Sequence, residues 1–111
     1  MDIAESIVKK DIEGIPDKLK GNSTAAAIFR VVNEVVENAG IKDVDSVNTA
    51  IALEQIADKN AIVDWQFNED AKKKMIGEME DYLIDEVGVD YDNVDAIISE
   101  VMKIAARRFA R

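Results

Sequence analysis

The sequence predicts an all-α domain, an irregular bundle of about five helices that ends in a helical hairpin. Three observations point there. Helix formers dominate the 111 residues, and only one proline and five glycines interrupt them. Apolar residues recur at intervals of three and four over long stretches, the period of a helix with one buried face. Capping residues and glycines fall between those stretches, where helices start and stop.

Residues 2–13 place Ile3, Ile7, Val8 and Ile12 near helical spacing, with Asp2, Glu5, Lys9, Lys10 and Glu13 elsewhere. This is expected to be a short amphipathic helix, stopped by Gly14 and Pro16. Residues 14–23 form a connector, with room for one turn around Asp17–Lys20. Asn22, Ser23 and Thr24 are three successive N-cap candidates. The helix that follows, 24–39, carries Ala25, Ile28, Val31, Val32, Val35, Val36 and Ala39 on a broad apolar face. Its valines are β-branched, so tertiary packing has to hold it. Phe29 lies off the stripe and faces a second neighbour. Gly40 suits the left-handed residue after the helix.

Asp43 or Asp45 starts a helix over 44–58, with Val47, Ala50, Ile51 and Ala57 inward and Ile56 beside them. Residues 61–67 lack helical spacing and read as extended or irregular, with Val63 and Trp65 on the same side. Asn68 caps a helix over 69–87, with Glu69 and Asp70 at its electropositive start. Ala71, Met75, Met79, Tyr82, Leu83 and Val87 form its stripe. Gly77 costs about 1 kcal/mol relative to alanine there and permits close approach of another backbone. Gly88 ends the helix. The last helix, 93–109, is capped by Asp92 and buries Val94, Ile97, Ile98, Val101, Ile104, Ala105 and Phe109. Arg107, Arg108 and Arg111 crowd its C-terminal end, which favours cations. Helices 69–87 and 93–109 should form the hairpin, and no linker divides residues 1–111, so one domain is expected.

Composition narrows function by exclusion. With no cysteine and no histidine, the chain lacks thiol nucleophiles, zinc–thiolate sites and the usual general base. A net charge of −9 opposes direct binding to a nucleic acid backbone or an anionic membrane. No apolar run is long enough to span a bilayer, and Met1–Glu5 lacks a signal-peptide pattern, so the cytoplasm is the expected location.

Motifs with chemical potential have plainer readings. Lys20–Thr24 precedes a helix but lacks the glycine frame and leading strand of a phosphate-binding loop. Asp90–Asp95 resembles the start of a calcium loop, yet has Asp95 where glycine is needed and Val101 where glutamate is needed. Carboxylate pairs such as Glu78 with Asp81 or Asp85 lie on a solvated face. No catalytic residue, cofactor or metal is expected. Trp65 fits two roles, core packing or an interface anchor. Phe67 beside it, with Arg107 and Arg108, completes the partner-binding candidates.

Ile62-Val63-Asp64-Trp65, then Asp70, Met75 and Glu80-Asp81-Tyr82-Leu83-Ile84-Asp85, and finally Ile104-Ala105-Ala106-Arg107-Arg108-Phe109, resemble the C-terminal end of the R subunit of type I restriction–modification enzymes. Many such subunits carry a VDW segment, a helix closing on a DDYLYD-like run, and a last helix ending on a basic pair and an aromatic. Glu80 replaces the first Asp of that run and Ile84 its second aromatic. The resemblance covers residues 60–109 most clearly. It implies a non-catalytic piece of a larger motor-nuclease, docking it on the methyltransferase core of M and S subunits. The Walker A, helicase and nuclease motifs of that parent are absent here. A competing expectation is a free-standing acidic regulator or DNA mimic, such as an anti-restriction protein. It requires carboxylates gathered on one face, whereas basic residues are interspersed with them along the chain. A small carboxylate–metal enzyme is a third.

Overall fold

A computed structural model describes residues 19–110; the helix expected over 2–13 lies outside them. The described chain is all-α. Four α-helices run in order: α1, Ser23–Ala39; α2, Ser46–Asn60; α3, Glu69–Asp81; and α4, Tyr91–Arg108. A 3₁₀ turn, Trp65–Phe67, precedes α3, and a π-helical turn, Tyr82–Val87, follows it.

Local chemistry sets the boundaries. The Asn22 carboxamide oxygen accepts from Ala25 N at 3.0 Å, which selects Asn22 among the three successive cap candidates. Asp45 caps α2 through Asn48 N at 3.0 Å, and Asn68 caps α3 through Ala71 N at 3.1 Å. Helix α4 starts earlier than expected. Asp90, in extended conformation, is its N-cap and accepts from the Asn93 side chain, so Asp92 lies inside the first turn. At the far end of α1, Gly40 N donates to Glu37 O and Ile41 N to Val36 O, at 3.2 and 3.0 Å. Gly40 has φ 69°, so this is a Schellman closure with glycine in the left-handed position.

Helix α1 is the hub. It packs most extensively against α2 and α4, while α3 packs mainly on α2. The expected C-terminal hairpin is corrected accordingly. The chain does turn at Gly88, but α4 finds its main partner in α1 rather than α3. Ile28, Val32 and Val36 of α1 offer a continuous buried stripe to Val94, Ile97, Val101 and Ala105 of α4. Of α3 itself only Met75 and Met79 are fully buried, a stripe too narrow to hold both neighbours equally. A smaller cluster of Leu19, Ala25 and Ala26 sits on the other side of α1. Phe29 touches both clusters, as its off-stripe position suggested.

Two further expectations change. On α2 the buried line is Ser46, Thr49, Ala50, Leu53, Ala57 and Asn60. Val47 and Ile51 are turned aside onto the smaller cluster. Leu53 completes a spacing of three and four that the more apolar-looking Val47 and Ile51 obscure. The helix expected over 69–87 stays α-helical only to Asp81. Through Tyr82–Val87 it widens, and Gly88 N and Val89 N both donate to Leu83 O at 2.9 Å. That bonding drops Leu83 and Val89 into the core, both buried. A Cβ at Gly77 would meet nothing within 4 Å, so this glycine serves no close approach.

Candidate docking surface

The segment between α2 and α3 is irregular because Asp64 takes a left-handed conformation, φ 58°, that few non-glycine residues adopt. The consequence is geometric. Val63 and Trp65, expected on one side, separate: Trp65 is 1% exposed and Val63 is 76% exposed. Successive tight turns hold the segment, Trp65 N to Ile62 O at 3.1 Å, Phe67 N to Asp64 O at 3.0 Å and Asn68 N to Trp65 O at 3.1 Å.

Two side chains bolt the segment to the end of α4. The buried Trp65 indole N–H donates to Phe109 O at 2.6 Å. Gln66 Nε2 donates to Ala106 O at 3.1 Å. Both acceptors belong to the C-terminal turn of α4, where carbonyls lack helical partners. The indole therefore fills core volume and satisfies a helix end at once.

Of the four partner-binding candidates, Trp65 takes the core-packing role of the two it fits, and its ring is not offered outward. Phe67 is 88% exposed. With Ile62, 53% exposed, and Val63, it forms an outward-facing apolar run within six residues. Single exposed apolar side chains are ordinary, but a run of large ones on a short segment is an interaction signal. Arg107 and Arg108 both lie exposed at the end of α4. Arg108 Nη1 donates to Ser23 Oγ at 2.9 Å, joining the end of α4 to the start of α1. Arg108 is thereby tied to the start of α1 rather than to Phe67. Gln66 was missed as a bolt because a glutamine between two aromatics carries no periodic signal.

A separate polar junction ties α2 to α3. Asn60, buried, donates to Ile56 O at 2.9 Å and to Glu78 Oε2 at 2.8 Å. Lys59 pairs with the other Glu78 oxygen. The Lys59 ammonium, then the Asn60 amide, hold the Glu78 carboxyl below its ordinary value, against the opposing effect of partial burial. The junction is structural: it satisfies a buried amide. Among the described residues no group of three acidic side chains is arranged to hold a metal ion, and no helix is long and apolar enough to cross a membrane. Comparison with protein-family models, curated proteins and solved structures finds no match for this chain.

Proposed function

We propose that this is a non-catalytic docking domain, and that its parent is the R subunit of a type I restriction enzyme, acting in the cytoplasm on a core of M and S subunits. The observation that carries the docking role is the exposed Phe67, with Ile62 and Val63, on a backbone held fast by Trp65 and Gln66. An aromatic presented on an ordered segment loses little conformational entropy on binding, which is what makes such residues anchors. The restriction assignment rests on the VDW segment and the Glu80–Asp85 run. The first of these builds the display: its tryptophan faces in and its valine faces out.

The test is equilibrium binding of the full chain to the assembled M and S subunits, with Phe67→Ala alongside. We expect specific binding that Phe67→Ala weakens by about 2 kcal/mol or more, with the unfolding midpoint unchanged. A folded parent chain that does not bind refutes the restriction assignment. Binding that is indifferent to Phe67→Ala and Val63→Ser refutes this surface.

A further inference from the structure

A cavity of about 410 Å³ opens where the start of α1 meets the end of α4. Its walls are Leu19, Ala26 and Ala27, and its polar groups are Ser23, Arg30 and Arg108. The two arginines come from different helices. Neither forms an ion pair with a carboxylate among the described residues. That is unusual company in a chain whose formal charge is −9. The nearby carboxylate Glu54 accepts from Asn22 at 3.3 Å and does not line the cavity.

A guanidinium has five N–H donors and no acceptor. Arg108 gives one Nη1 hydrogen to Ser23 Oγ at 2.9 Å, which orients its plane, and among the described residues its other donors have no carboxylate partner. Arg30, an exposed residue lining the same cavity, makes no side-chain hydrogen bond or ion pair among the described residues. A ligand seated between them gains most if it brings acceptor oxygens and negative charge, because arginine forks match carboxylate and phosphate in two-point fashion. The volume exceeds what a bare oxyanion needs and lies within the range of small-molecule pockets. The alanine and leucine walls take an apolar body.

We propose that this cavity binds a small organic oxyanion, its phosphate or carboxylate group held between Arg30 and Arg108 and its apolar portion against Leu19, Ala26 and Ala27. The site is independent of the Phe67 surface and of the docking role.

Titration of the isotope-labelled full chain with phenyl phosphate, benzoate and benzyl alcohol, followed by amide NMR, tests it. The two anions should shift the amides of residues 21–30 and 105–108 saturably, and the neutral alcohol should not. A tighter response to phenyl phosphate assigns phosphate esters, and a tighter response to benzoate assigns carboxylates; either supports the site. Arg30→Gln, an exposed position that leaves the fold intact, should weaken anion binding about tenfold, as loss of a charge-assisted hydrogen bond requires, and Arg108→Gln should do the same. Equal binding of the alcohol, no saturable shift at these residues, or unchanged anion affinity in Arg30→Gln overturns the proposal.

Discussion

Replacing Trp65 with alanine should bring this domain close to unfolding, while replacing Phe67, two residues away, should leave stability almost untouched. The indole is 1% exposed and sits in the main core cluster. An aromatic side chain of this kind buries roughly 150–250 Å², so at about 25 cal/mol per Å² its transfer contributes roughly 4–6 kcal/mol, an upper value. Truncations of buried Phe or Trp to Ala fall at about 3–5 kcal/mol. The bond from the indole N–H to Phe109 O, 2.6 Å, adds about 1 kcal/mol. Domains of this size carry about 5–15 kcal/mol in all, so Trp65→Ala removes a third to most of it. Phe67, 88% exposed, should change stability by no more than about 0.5 kcal/mol. The assay is urea unfolding followed by far-ultraviolet circular dichroism, since Trp65→Ala deletes the only tryptophan. A loss below about 1 kcal/mol for Trp65→Ala would mean the indole is not the core residue described here. A loss above about 1 kcal/mol for Phe67→Ala would mean that its ring is packed rather than exposed.

Two further perturbations test the helix chemistry. Gly77→Ala should stabilise by about 0.5–1 kcal/mol, because the position is helical and open, whereas Gly88→Ala should destabilise by about 1 kcal/mol or more because its φ is 85°; thermal unfolding of both variants separates them by sign. The Glu78 carboxyl, held below its ordinary value of 4.5 by Lys59 and Asn60, is depressed in the folded state. Its contribution is therefore present above the unfolded value and lost as pH falls below 4.5 through the folded one. Stability measured across that window should decline less in Glu78→Gln than in the parent chain, and an identical decline would show that the junction does not titrate with folding.

The helices were legible in the sequence because their determinants are local. Asn22, Asp45 and Asn68 satisfy amides three residues away, and Gly40 supplies the left-handed turn that closes α1. The stripes of α1 and α4 are broad enough that period alone identifies Ile28, Val32, Val36, Val94, Ile97 and Val101 as buried. The candidate surface was half legible. Phe67 could be named, but alternation placed Val63 beside Trp65, and one left-handed residue, Asp64, reverses that. Aspartate tolerates that conformation without requiring it, and the segment that contains it is anchored by the bonds from Trp65 and Gln66 to the end of α4.

The sequence by itself therefore determined the fold class, the Asn68 cap and the neighbourhoods of the other caps, and the two dominant apolar faces, all of which depend on residues within one helical turn of each other. Only the tertiary structure decided that α4 packs on α1 before α3, that α2 turns Leu53 inward, that the helix widens after Asp81, and that Arg30 and Arg108 line one cavity. These outcomes depend on residues far apart in the chain, and the packing of one helix on another settles them through volume and unsatisfied carbonyls that no local pattern encodes.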